Sequence, residues 1–289
     1  MNVHARYDAS LSARIVKAHP LPGVRAGSAL LRLGRRLLAI QDDAWSAVWI
    51  DPRTRALEPL VFRGDGAPLP KRDKPDFEAA IETPDGSVYL LGSGSKRNRR
   101  RIIRWRVDEK TPMEVLDGRA IYDAVKRCLK LKHRPNIEGG CVLRSRLRLF
   151  HRGAGGRPSA TVDVNPSALE GATPKAQAHC WYELGSIGGV ALSFTDARPL
   201  DNGRVIYLAV AEITEDAVTD GPVAGSAVGV LDDAGAHWTT LIEADGRPSL
   251  RKVEGLVLDR GDRTGWMVTD ADDPDVPAEL CRLQLAGPW

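Results

Sequence analysis

Asp76-Phe77-Glu78-Ala79-Ala80-Ile81 runs through Pro84-Asp85-Gly86 into Ser87-Val88-Tyr89-Leu90-Leu91. An apolar stretch, a turn with Pro-Asp-Gly chemistry and a second apolar stretch read as a β-hairpin. The same plan returns three times. Asn136-Ile137-Glu138-Gly139-Gly140-Cys141 leads to Leu147-Arg148-Leu149-Phe150. Phe194-Thr195-Asp196-Ala197 leads through Asp201-Asn202-Gly203 to Val205-Ile206-Tyr207-Leu208. Lys252-Val253-Glu254-Gly255-Leu256-Val257 leads past Asp259 to Gly265 and Trp266-Met267-Val268.

An acidic residue holds one register in all four hairpins. Glu78, Glu138, Asp196 and Glu254 are 60, 58 and 58 residues apart, so one supersecondary unit recurs about every 58 residues. A further unit upstream, Gly27-Ser28-Ala29-Leu30-Leu31 before Leu37-Leu38-Ala39-Ile40, places Ser28 in the acidic slot after a shorter interval of 50. That period suits a four-stranded blade with its loops. The expected fold is therefore all-β, a β-propeller with five blades favoured and a divergent sixth around residues 160–190 as the alternative, in one domain over residues 1–289.

Later strands of each blade are expected at Ala47–Ile50, Ile102–Trp105, Ala160–Val164, Ala227–Leu231 and Leu280–Leu283. Ala13-Arg14-Ile15-Val16 is expected to pair with the last blade and close the ring, which removes exposed sheet edges. One insertion is helical in period: Ile121, Ala124, Val125, Cys128 and Leu129 lie between Gly118 and Pro135, which predicts a short amphipathic helix.

The composition narrows the function classes. The chain has 289 residues, 43% hydrophobic and 27% charged, with a net charge of +3, which suits a globular protein and points away from nucleic acid or a membrane surface as partner. The N-terminus has no apolar signal core, and no segment reaches spanning length, so a cytoplasmic location is expected. Cys128, Cys141, Cys180 and Cys281 lie far apart and read as free buried thiols.

In a propeller the innermost strands line the central channel, so residues at one register converge on its axis. Several carboxylates brought together there need raised pKa values or a bound cation. Ser28, Glu78, Glu138, Asp196 and Glu254 are accordingly the candidate metal ligands, and an all-oxygen set suits Ca²⁺ or Mg²⁺. The competing interpretation is structural: the acids accept backbone N–H groups and pair with Lys or Arg to lock the blades.

The residues after each second strand should surround the ring: Asp42 and Asp43, Ser93 and Ser95, His151 and Arg152, Glu212, and Asp270 with Asp272. Glu78, Glu138 and His151 are the candidate catalytic groups. Lys96, Arg97, Arg99 and Arg152 are the candidates to hold a small anionic molecule, since ammonium and guanidinium groups bind phosphate and carboxylate oxygens.

Asp-Phe-Glu-Ala, Asn-Ile-Glu-Gly and Val-Glu-Gly-Leu, each followed by a turn and a second strand, resemble the strand starts of bacterial phytase-like, or esterase-like, β-propellers. The loop Gly92-Ser93-Gly94-Ser95-Lys96-Arg97-Asn98-Arg99 resembles the loop that follows one such strand there. The pattern extends over residues 25–286. A weaker resemblance, to five-bladed calcium-dependent nucleotidases, rests on the central Glu and Ser. Both imply a calcium-holding propeller that hydrolyses phosphate or related esters. Asp196 and Ser28 depart from the Glu pattern, and no GxSxG motif supplies a separate nucleophile.

Two functions follow as expectations. One is a metal-dependent hydrolase of a small anionic ester at the channel mouth. The other is a non-enzymatic propeller binding a ligand or protein on one face, with Trp45, Trp181 or Trp238 contributing to the patch.

Overall fold

The computed structural model describes residues 1–106, 112–143, 145–153, 157–214 and 221–289. Three N-terminal strands, β1 (Asn2–His4), β2 (Arg6–Tyr7) and β3 (Ser12–Pro20), come first. An antiparallel set follows: β4 (Gly27–Leu33), β5 (Arg36–Gln41), β6 (Ser46–Ile50) and β7 (Leu57–Val61). The next set is β8 (Phe77–Glu82), β9 (Ser87–Gly92), β10 (Arg101–Arg106) and β11 (Glu114–Asp117).

After the helix α1 (Arg119–Cys128) comes β12 (Ile137–Leu143), β13 (Arg146–His151), β14 (Ser159–Val164) and β15 (Ala176–Glu183), with β1 added in parallel beside β15. The short β16 (Ser186–Ile187) precedes β17 (Val190–Pro199), β18 (Val205–Glu212), β19 (Val223–Asp232) and β20 (Gly235–Ile242). Last are β21 (Val253–Leu258), β22 (Thr264–Thr269) and β23 (Glu279–Ala286). The N-terminal β3 completes this set, pairing antiparallel with β23 as its sequence predicts. Residues 160–190, the place of the alternative divergent sixth unit, contain β14 and β15 of the third set, a short 3-10 helix (Pro166–Glu170) between them, and β16, which pairs with β17.

The fold is a β-propeller. The first strand of each set packs against the first strand of the next: β4 on β8, β8 on β12, β12 on β17, β17 on β21, and β21 back on β4. Apolar clusters fill the spaces between successive sets, and the chain ends are joined by the same device. Leu30, Leu37 and Ile50 from the first set pack with Val257, Val268 and Leu280 from the last. Each such buried aliphatic side chain contributes about 1.5–3 kcal/mol, so closure is held by burial as well as by the β3–β23 ladder.

The inner strands approach closely at Gly139 and Gly255, where a side chain would crowd the neighbouring backbone. A Cβ on Gly255 would lie 2.6 Å from the backbone nitrogen of Leu30, and one on Gly139 would lie 3.1 Å from that of Ala197. The Glu-Gly pairs are thus explained by backbone packing around the channel. Among the described residues no helix is long and apolar enough to cross a membrane.

Candidate functional site

Each inner strand carries a β-bulge at the same place. The pairing skips Ser28 in β4, Glu78 in β8, Glu138 in β12, Thr195 in β17 and Glu254 in β21. A bulge re-aims a side chain out of the ladder, here at one end of the channel. The fourth register therefore differs by one residue from the sequence expectation: Thr195 occupies the bulge, and Asp196 is back in the ladder opposite Leu208.

The two hydroxyl positions act alike. Ser28 Oγ donates to the carbonyl of Phe77 at 2.5 Å, and Thr195 Oγ1 to that of Val253 at 2.6 Å. Both acceptors directly precede the bulge of the next set. Asp196 is fully committed as well: Oδ1 accepts the Ala197 N–H and Oδ2 the Leu256 N–H, each at 2.8 Å.

The three glutamates differ in their partners. Glu138 accepts from Asn136 Nδ2 at 2.5 Å and faces Arg152 Nη1 at 3.8 Å. Arg152 also bonds Ser193 and pairs closely with Glu212. Glu254 lies 3.2 Å from Lys252 Nζ, which in turn is 2.8 Å from Asp272. Glu78 makes no hydrogen bond or ion pair among the described residues. Burial, followed by the charges of Glu138, Asp76, Asp42 and Glu254, pushes its carboxyl well above the usual range.

Beside Glu78 stand Asp42 and Asp76. One oxygen from each of these three buried carboxylates lies within 4.8 Å of the other two. Lys74 pairs with both aspartates, closely with Asp42 and at 3.1 Å with Asp76 Oδ1. Arg99 Nη1 reaches Asp76 Oδ2 at 2.8 Å, and Ser93 Oγ donates to the same oxygen. Burial opposes charge on Lys74, but Asp42, Asp76 and Glu78 outweigh it and raise its pKa. Burial lifts Asp42 to about 6 and Asp270 to about 7, against the counter-pull of Lys74 and Lys252 respectively.

The remaining candidates are dispersed. His151 is buried, its Nδ1 3.0 Å from both the amide nitrogen and the carbonyl oxygen of Asn136, and burial lowers its pKa to about 4. Arg99 and Arg152 are buried in ion pairs, whereas Arg97 is exposed and Lys96 half-buried on the rim. Of the three tryptophans, Trp238 is buried, Trp45 packs edge-on against Phe77, and Trp181 lines a cavity beside the mouth.

Deeper along the axis is a residue the sequence reading passed over. Arg198 donates to the carbonyls of Leu256 at 2.7 Å, Ala80 at 2.5 Å and Leu30 at 2.8 Å, on three different inner strands. Each acceptor lies two residues past a bulge. The guanidinium therefore bridges the channel below the acids, and a separate 550 Å³ cavity opens at its other end, where Glu82, Asp259 and Arg260 contribute. An arginine two residues past an acid, on a strand with no other basic residue, was the available signal.

Residues 23–285 match the family of unknown function DUF6929, and the chain belongs to it. No curated protein matches the sequence. Among solved structures, the chain is similar to a glutaminyl cyclase of Myxococcus xanthus, at a TM-score of 0.52 and 11% identity over 100% of both chains. A PQQ-bound aldose sugar dehydrogenase from Streptomyces coelicolor gives 0.47 and 14%, covering 96% of this chain and 99% of that one. A gluconolactonase from Xanthomonas campestris gives 0.43 and 12%, covering 88% and 69%. The likeness to the glutaminyl cyclase concerns the fold alone. Of the phytase-like resemblance, the propeller fold alone is supported.

Proposed function

We propose that the protein is a hydrolase of a small anionic ester, working at the channel mouth with a hard divalent cation, Ca²⁺ or Mg²⁺, held by Asp42, Asp76 and Glu78. The observation that carries this reading is the convergence of those three buried carboxylates within 4.8 Å. The donor set is all oxygen, which suits such ions, and Glu78 has an oxygen free of other bonds. Lys74 is the competitor, because its ammonium already pairs with Asp42 and Asp76. The cation centre thus lies at the junction of the first two sets. Of the five residues first aligned on the axis, Glu78 alone belongs to it. Ser28, Asp196 and Glu254 have partners of their own.

A bound cation would polarise the ester and lower the pKa of water. Lys96 and Arg97 on the rim would draw the anion in, while Arg99 holds Asp76 in place. Glu138, whose pKa burial raises while Arg152 pulls the other way, would accept a proton from the attacking water. His151, neutral and tied to Asn136, would position that loop. The reading treats the ring as five-bladed and as one domain, supported by the five inner strands that pack in a closed circuit.

The test is thermal unfolding of chelator-treated protein with Ca²⁺, Mg²⁺ or Mn²⁺ added, beside a phosphatase and esterase panel. An ion at a hundredfold its Kd adds about 2.7 kcal/mol. A rise in Tm that Glu78→Gln abolishes, with ion-dependent turnover, is the expected result. No shift with any of the three ions sinks the reading.

A second reading, a binding propeller without turnover, is favoured by one feature. Lys74 and Lys252 supply internal cations, so much of the mouth is neutralised without a metal.

A further inference from the structure

We infer that the 430 Å³ cavity beside the mouth binds a ligand with one anionic group on a flat apolar body, an aryl carboxylate or aryl phosphate. This deepens the hydrolase reading by naming the acid and its attached group, and it rests on that reading only for turnover.

The cavity lies between the end of β13 and the segment after α1. Its lining contains three arginines and two histidines and, among the described residues, no Asp or Glu. Arg152 is consumed by Glu138 and Glu212. Arg134 and Arg157 are exposed and make no ion pair among the described residues. Two guanidinium forks without a carboxylate partner, facing one cavity, form an anion seat, since such a fork matches a carboxylate or phosphate edge. His151 adds no charge near neutral pH, because burial keeps its imidazole neutral.

Apart from Ser95, Asn136 and these basic groups, the wall is apolar. Leu131, Pro158 and the half-buried Trp181 line it, and a ring against Trp181 gains stacking as well as burial. A cavity mainly apolar with a few convergent polar groups is the usual form of a small-molecule site. The volume suits a single aromatic ring with its anionic group. Two short links connect it to the acids: Ser95, in the lining, is 2.8 Å from Ser93, which bonds Asp76, and Asn136 bonds Glu138.

Calorimetric titration tests this with phenyl phosphate, benzoate, benzamide, inorganic phosphate and acetate. Phenyl phosphate or benzoate should bind at least tenfold tighter than inorganic phosphate or acetate, and benzamide at least tenfold weaker than benzoate. The tighter of the two aryl anions identifies the group. Arg134→Gln with Arg157→Gln should weaken the aryl anion tenfold or more, and Trp181→Leu should erase most of its advantage over the bare anion. Equal binding of benzamide and benzoate, equal binding of phenyl phosphate and inorganic phosphate, or unchanged affinity in the arginine variants would overturn the inference. Binding is expected to persist in Glu78→Gln with chelator present, and its loss there would place the ligand on the cation instead. Binding of phenyl phosphate without its hydrolysis in the metal-loaded protein would remove the hydrolase reading and leave this inference standing.

Discussion

Arg198 Nη2 lies 3.1 Å from Asp196 Oδ2, and this buried pair crosses the channel floor. The aspartate oxygen also takes the Leu256 N–H, while the guanidinium is bonded to carbonyls of three inner strands. Arg198→Met strands a buried carboxylate and leaves those carbonyls unsatisfied, so a loss of about 3–5 kcal/mol is expected in urea unfolding. Adding Asp196→Asn should recover part of it, because the uncompensated charge goes too. An Arg198→Met protein as stable as the parent would show that the guanidinium holds nothing together.

The repeat was legible because hairpin chemistry is local: Pro84-Asp85-Gly86 and Asp201-Asn202-Gly203 announce turns whatever the tertiary context. The loop residues Asp42, Arg152, Glu212, Asp270 and Asp272 could be placed near the mouth by strand alternation alone. The slip from Thr195 to Asp196 arose from following charge. Phe77, Ile137 and Val253 directly precede their acids, and Phe194 directly precedes Thr195, so the apolar residue was the better register mark. Lys74 and Arg198 could not be placed, because long side chains meet partners on other sets only after the ring closes. The Asp42–Asp76–Glu78 convergence lies between two sets for the same reason.

Asp270 should make stability fall as pH rises. Its carboxyl is pushed up to about 7 by burial, with Lys252 opposing and Asp272 reinforcing. The folded chain then holds a proton that the unfolded chain, with a normal aspartate, has released. This contribution is full below about pH 4 and is lost as pH rises through about 7. Asp270→Asn, which keeps the oxygen that accepts the Asp272 N–H, should gain on the parent by on the order of 2–4 kcal/mol between pH 4 and 8. His151 acts in the opposite sense: its pKa falls to about 4 in the fold, so its contribution is full above about 6.5 and lost as pH drops. A stability difference between Asp270→Asn and parent that does not vary with pH would refute the assignment.

Gly94 and Tyr122 fix α1 over the mouth loop. Gly94 has a φ of +81°, and a Cβ there would come within 2.4 Å of Tyr122 Cδ1. The ring cannot step aside, since its hydroxyl donates to the Gly92 carbonyl at 2.5 Å and the side chain is fully buried. Gly94→Ala combines left-handed strain with overpacking and should cost about 2–4 kcal/mol. In a double-mutant cycle with Tyr122→Ala, which opens the space, the two losses should sum to more than the loss in the double variant. Strict additivity would show that the contact does not constrain the loop.

Lys74 separates the two functional readings most directly. Its ammonium bridges Asp42 and Asp76, so Lys74→Met leaves the three close carboxylates with Arg99 on Asp76 as their remaining paired cation. Without added metal at neutral pH that variant should lose about 3–5 kcal/mol. Acid should restore part of the loss, because burial lifts Asp42 to about 6 even with Lys74 opposing, and removal of the ammonium favours its protonation further. If the three carboxylates form a cation site, Ca²⁺ or Mg²⁺ should now bind without a competitor, and the Tm rise on adding the ion should exceed that of the parent. If the mouth serves only to lock the strand sets, neither protein responds to the ion while the acid rescue remains. Thermal unfolding of both proteins at pH 5 and 7.5, with and without the ion, therefore distinguishes a cation centre from an internally neutralised ring.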